Sequence, residues 1–308
     1  MPLTSYFFNR IIIFSLSIMT DICCIGHITL DKIVTPEKTA YLNGGTSYYV
    51  SHAISKLPPI GYKLVTSLAE SEMSAVDDLR AVGIDVDVIP SRKTVYFENK
   101  YEANMNNRTQ RVLAKADPFS VVSLKDVYAR YIHLGSLLAD DFSIEVMKSL
   151  KGHGILSVDA QGFLRYVDGE KVYPCAWENK LEAFKYIDIL KVNEHEIESL
   201  TGYTDLHMAA KQFDAWGVKE VLMTLGSYGS VIFVEGRFYE IPAYTPRKVE
   251  DATGCGDTYA AGYLYSRAKG ADYVEAGKYA AAMCTLKIEH TGPFDHSEDD
   301  VLKIIGRQ

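Results

Sequence analysis

Short apolar runs alternate with amphipathic stretches along most of the chain. Residues 22–25, 63–66, 131–134, 154–158, 187–190 and 221–224 are brief and apolar at successive positions, as strands buried on both faces are. Between them, residues 49–57, 74–82, 143–150, 194–200 and 206–216 carry their apolar side chains at helical spacing. Strands alternating with helices predict an α/β fold, a doubly wound and mostly parallel sheet with helices on both faces. Ligands of such sheets bind beyond the carboxyl ends of the strands.

Two stretches break this rhythm. Residues 94–101 are β-prone, Asn104-Met105-Asn106-Asn107 is a turn signal, and 108–113 is a second extended run, so a hairpin is predicted. Residues 28–42 are also extended and poor in helix formers. Together, segments of about 28–42 and 94–114 predict a small β-sheet lid over the site, with an ordinary edge hairpin as the alternative. An exposed lid sheet invites pairing through its edges, which would make a homodimer.

The N-terminus is a separate question. The apolar run at 11–19 is shorter than the roughly 20 residues a membrane helix needs, and no small-residue cleavage site follows it. Residues 1–18 read as an extension outside the core or as a start placed too early, with Met19 directly before the first strand and one domain over 19–308.

The 308 residues carry a net charge of -8, which repels nucleic acid. The five cysteines form no CxxC pair, so no disulfide framework or zinc site is expected, and a reducing cytoplasm is. The eight histidines show no metal-ligand spacing.

The chemistry concentrates in Asp251-Ala252-Thr253-Gly254-Cys255-Gly256-Asp257, followed by an amphipathic helical pattern. Glycines at 254 and 256 let successive N–H groups point one way at a helix N-terminus, where they bind an anion. An acid beside an anion hole makes sense if Asp257 accepts a proton there, so that a substrate hydroxyl attacks a phosphoryl group stabilised by the N–H groups of Gly254, Cys255 and Gly256. The plainer alternative is Asp257 as a helix-capping residue. Cys255 suits its place by its size and its N–H; a helix N-terminus would lower its thiol pKa. A Walker A loop is absent, because no Lys-Ser/Thr pair follows a glycine. A dinucleotide fingerprint fails too, since Tyr259 stands where its third glycine belongs.

The segment 251–257 resembles the C-terminal signature of the ribokinase/PfkB family of carbohydrate kinases. Four further matches follow in the family's order: Gly26-His27-Ile28-Thr29-Leu30-Asp31, Asn43-Gly44-Gly45 with Ala53 and Leu57, Asn193-Glu194-His195-Glu196 (N-x-x-E), and Thr224-Leu225-Gly226-Ser227-Tyr228-Gly229 (T-x-G-x-x-G). The resemblance runs from about Asp21 to the end. It implies a ribokinase-like fold and ATP-dependent phosphorylation of a hydroxyl on a small sugar, cyclic polyol or related molecule. It further implies Asp257 as base, Gly254–Gly256 as anion hole, and Asp31, Asn43, Gly44 and Gly45 toward the substrate. Asn193 and Glu196 would organise Mg²⁺ through water, and Thr224, Gly226 and Gly229 would contact ATP. A potassium-like ion near Asp251 and Thr253 is a further family feature.

One position departs from the pattern. Tyr49 stands where many sugar kinases of the family place an asparagine, and its ring cannot repeat that amide contact. The segment 44–51 looks more like plant inositol-kinase members, which favours a cyclic polyol. Arg108 on the lid is a candidate substrate contact. Competing readings are a nucleoside kinase of the same family and a non-catalytic sugar-binding regulator on the same scaffold.

Overall fold

The computed structural model describes residues 20–101 and 108–306; the expectations for residues 1–18 and for the 104–107 turn fall outside them. In chain order, β1 (Ile22–Gly26), β2 (Thr29–Val34) and β3 (Thr39–Gly44) precede α1 (Thr46–Ser55), β4 (Tyr62–Leu68), α2 (Ser74–Ala81) and β5 (Asp85–Pro90). Next come β6 (Val95–Tyr101), β7 (Arg108–Ala114), β8 (Tyr131–Gly135), α3 (Ile144–Leu150), β9 (Ile155–Asp159), β10 (Arg165–Asp168), β11 (Lys171–Pro174) and α4 (Lys180–Ala183). The C-terminal part holds β12 (Ile189–Asn193), α5 (Glu194–Thr201), α6 (Leu206–Ala215), β13 (Glu220–Thr224), β14 (Ser230–Val234), β15 (Arg237–Ile241), α7 (Cys255–Ala268), α8 (Tyr273–Lys287) and α9 (Glu298–Ile305).

Nine strands form the main sheet in the order β15-β14-β13-β12-β9-β8-β1-β4-β5. From β5 to β13 every neighbouring pair is parallel, while β14 and β15 close the far edge antiparallel. β1 and β8, both interior strands, are buried at every position, which is why their sequences run apolar without alternation. The chain leaves β1 toward β4 and β5, then returns to β8 on the other side, so the strand order reverses at β1. One core packs α1, α2, α7, α8 and α9 against one face; the other face carries α3, α4, α5 and α6. This is the expected doubly wound architecture.

A second sheet of six strands runs β10-β11-β7-β6-β2-β3. The segments read from the sequence supply β2, β3, β6 and β7. The hairpin β10–β11 also joins it, through Lys171 opposite Arg111; the four residues Arg165-Tyr166-Val167-Asp168 are too short, and do not alternate, so they do not stand out from a loop. Among the described residues, no helix is long and apolar enough to cross a membrane.

Candidate active site

A cleft of about 940 Å³ lies between the two sheets, beyond the carboxyl ends of β9, β12 and β13. That is at the upper end of the volumes small-molecule sites usually have, roughly 300–1,000 Å³. Of the residues singled out in the sequence, Asp31, Gly45, Tyr49, Asn193, Glu196, Thr224, Gly226, Gly229, Thr253, Gly254, Cys255, Gly256 and Asp257 line it. Asn43 does not; it sits on β3 opposite Leu30, and its side chain meets the Tyr48 hydroxyl. Arg108 begins β7, and its side chain falls outside the described residues.

The two N-terminal glycines are there for close approach. A Cβ on Gly44 would stand 2.4 Å from Asp31 Oδ2, and Gly45 adopts φ +89° with a Cβ position 2.4 Å from the His27 carbonyl oxygen. Any side chain would push Asp31 and the start of α1 apart. Thr29 Oγ1 donates to Asp31 Oδ1 at 2.7 Å, fixing the carboxylate at the cleft wall. Next to it, Gln110 Nε2 donates to Asn99 Oδ1 at 3.0 Å, so the lid presents an amide pair to the same space.

The loop before α7 turns at Gly254, in the left-handed conformation at φ +76°. The Tyr49 ring lies directly over it: a Cβ on Gly254 would come within 2.1 Å of Tyr49 Cδ1. Tyr49 therefore walls this part of the cleft and buttresses the loop before α7. Gly254, Cys255 and Gly256 open a fourteen-residue helix, with Asp257 in its first turn, where N–H groups and the helix dipole favour negative charge. Burial, reinforced by the charge of Asp159, pushes the Asp257 carboxyl up to about 6, against the pull of Lys191 and a hydrogen bond from Thr46. Burial raises the Cys255 thiol to about 11, so the lowering expected at a helix N-terminus does not occur.

Lys191, which belongs to none of the sequence motifs, is central to the site. Lys191 Nζ donates to Asp159 Oδ2 at 2.7 Å, both side chains almost wholly buried. Burial alone would lower the pKa of the lysine, but Asp159 and Glu196 outweigh it and hold the ammonium charged. A polar signal existed: Lys191 interrupts the apolar strand Ile189-Leu190-Lys191-Val192. Asp159, Gln161 and Arg165, at and beyond the end of β9, line the cleft.

Asn193 and Glu196 form the capping box of α5: Asn193 Oδ1 accepts from the N–H groups of His195 and Glu196, and Glu196 Oε2 accepts from Asn193 N at 2.9 Å. The cap turns both side chains toward the cleft, and burial together with Asp159 raises the Glu196 pKa. Among the described residues no cluster of three or more His, Cys, Asp or Glu could cage a metal. One or two carboxylates with water and phosphate suit Mg²⁺, which binds in that way at phosphate sites. Thr224, Gly226 and Gly229 form the tight turn from β13 to β14, closed by Leu225 N donating to Gly229 O at 2.9 Å. The lining of the cleft also includes the apolar side chains of Ala243, Pro246, Val249, Ala281 and Ile288.

Residues 165–300 match the model of the pfkB family carbohydrate kinases. A pyrophosphate-dependent kinase of the ribokinase family, solved with a pyrophosphate analog and myo-inositol, is 30% identical, with 92% of this chain and 100% of that one covered at a TM-score of 0.80. The chain belongs to the pfkB family of carbohydrate kinases. Among other relatives of this pfkB kinase, a nucleoside kinase of Methanocaldococcus jannaschii is 24% identical over 89% of this chain and 92% of its own. The ribokinase of Arabidopsis thaliana, solved with ribose and ATP, shares the fold at a TM-score of 0.77 and 21% identity, over 93% of this chain and 99% of that one. The protein is thus an enzyme, a kinase of sugars or nucleosides.

Proposed function

We propose that the protein transfers the terminal phosphoryl group of ATP to a hydroxyl of a small cyclic polyol or sugar. The observation that carries this is Asp257, a carboxylate with a pKa near 6, set in the first turn of a helix whose opening N–H groups and neighbouring Lys191 provide the positive field. Ionised at neutral pH, Asp257 takes the proton of the acceptor hydroxyl as its oxygen attacks the terminal phosphorus. The bond to the leaving ADP oxygen breaks, and charge on the transferring group falls on the N–H groups of Gly254, Cys255 and Gly256.

Asp31, Gly45 and the Asn99–Gln110 pair hold acceptor hydroxyls, with Tyr49 and Phe97 offering apolar walls to a ring. Asn193 and Glu196 would hold Mg²⁺ through water; when bound, it neutralises donor phosphate charge. Thr224, Gly226 and Gly229 approach the phosphates, and the apolar side chains of Ala243, Pro246, Val249, Ala281 and Ile288 in the same cleft offer a surface to a base, which favours a nucleotide donor. The lid edge at β3, with Tyr41 and Leu42 exposed, is the surface for a homodimer.

A second reading, a nucleoside as acceptor, is favoured by the flat apolar walls of Tyr49 and Phe97 and by the nucleoside kinase relative. The test is product detection with ATP or pyrophosphate as donor against myo-inositol, other polyols, ribose and nucleosides. ATP with a cyclic polyol is the expected pair. A nucleoside as best acceptor moves the assignment to the second reading, pyrophosphate as sole donor overturns the nucleotide assignment, and no turnover with any pair overturns both.

A further inference from the structure

The family resemblance led to the expectation of a potassium-like ion on carbonyls near Asp251 and Thr253. The residues there do not fit one. Lys287, the last residue of α8, is fully buried. Its Nζ donates to the carbonyl oxygens of Asp251 at 2.9 Å and His290 at 3.2 Å, and stands 3.8 Å from Asp251 Oδ2. The other carboxylate oxygen, Oδ1, accepts from Thr253 N at 2.9 Å. The oxygens that would ligate an ion already surround a covalently attached cation of the same charge. A second cation on these oxygens would be repelled at contact distance in a poorly screened interior.

The surrounding bonds show what this ammonium holds. The loop before α7 is stitched to the one after α8 by Glu250 N donating to Ile288 O at 2.8 Å and Arg247 N to Glu289 Oε1 at 2.6 Å. A fully buried lysine is rare and persists only when its donors are satisfied. Here they are spent on the two loops, with the C-terminal carbonyl end of α8 adding a favourable dipole.

We infer that Lys287 is a built-in monovalent cation: it fixes the Asp251 backbone, and through it the loop carrying Gly254, Cys255 and Gly256, so that turnover needs no potassium or similar ion. It is a positioning residue, and the inference rests on the proposed role of that loop as the phosphoryl-binding anion hole.

The test compares the parent protein and Lys287→Ala in tetramethylammonium chloride, replaced stepwise by KCl, NH4Cl or NaCl up to about 0.1 M at constant ionic strength. Initial rates and melting temperatures are both read. The parent should turn over and melt alike in every salt. Lys287→Ala should lose turnover by about tenfold or more in tetramethylammonium, since it loosens an anion hole whose single donors are worth more than that. It should recover rate and melting temperature in ammonium or potassium better than in sodium. Saturable activation of the parent by potassium over sodium overturns the inference, and this arm stands even if the variant does not fold. A folded variant with unchanged turnover, or with a loss that no cation repairs, overturns it too. The melting readout does not depend on catalysis. A parent that melts alike in all salts while turning over nothing would leave Lys287 as the cation and sink the kinase assignment instead.

Discussion

Lys191 Nζ donates to Asp159 Oδ2 across 2.7 Å, and a side chain on Gly256 would meet the same ammonium at 3.0 Å. The pair brings a fixed positive charge, otherwise costly to bury, beside the N–H groups at the head of α7. In Lys191→Met the buried Asp159 carboxylate loses its cationic partner, which should destabilise the fold by about 3–5 kcal/mol. The double variant Lys191→Met/Asp159→Asn should recover most of the melting temperature while its kcat stays down by about 10²-fold. Thermal melts with steady-state rates check this; a double variant at parental rate would reduce Lys191 to a partner of Asp159.

Activity should fall in acid. Burial and Asp159 set the Asp257 carboxyl at about 6, and a base works only when ionised, so kcat/KM should rise with pH through about 6 and then level. The stability sign is opposite. A pKa raised above the ordinary 3.8 means the contribution is full below 3.8 and lost as pH rises through about 6. Asp257→Asn should therefore melt above the parent at pH 8 and close to it near pH 4, as read by thermal melts at the two pH values.

Gly254→Ala meets two obstacles, a left-handed φ of +76° and the Tyr49 ring 2.1 Å from the new methyl. A loss of about 1–3 kcal/mol is expected from the backbone term alone, with kcat falling more than the acceptor KM changes. Adding Tyr49→Ala should relieve the contact but leave the backbone strain, so only part of the stability returns in denaturant titrations.

Asp31 is held by Thr29 at the cleft wall, and in its proposed place beside the acceptor its negative charge would oppose a second phosphate. An unphosphorylated cyclic polyol, sugar or nucleoside should show higher kcat/KM than fructose 6-phosphate or fructose 1-phosphate. Asp31→Asn should raise KM for the preferred acceptor by about tenfold or more, the scale of a lost hydrogen bond to a charged group. Coupled assays across these acceptors decide it.

Much of this was legible in the sequence because it is local. The strand–helix alternation gave the sheet, and the N-x-x-E and T-x-G-x-x-G segments fell at the ends of β12 and β13 because a cap and a tight turn are written in adjacent residues. What escaped was non-local. Asp159 and Lys191 lie 32 residues apart on neighbouring strands, and only the register of β9 against β12 joins them. Lys287 shares a site with Asp251 across 36 residues, and nothing in the residues next to Lys287 points to that partner. Tyr49 was recognised as a departure, but its seat on Gly254 depends on how α1 packs against α7.

The most direct test of the account is Asp257→Asn, which keeps the shape of the side chain and removes its capacity to accept a proton. With the preferred donor and acceptor, kcat should drop by about 10²–10⁴-fold, while the Kd of the donor, measured by titration calorimetry, stays near the parental value. Near-normal turnover in a folded Asp257→Asn protein would contradict the assignment of Asp257 as the base.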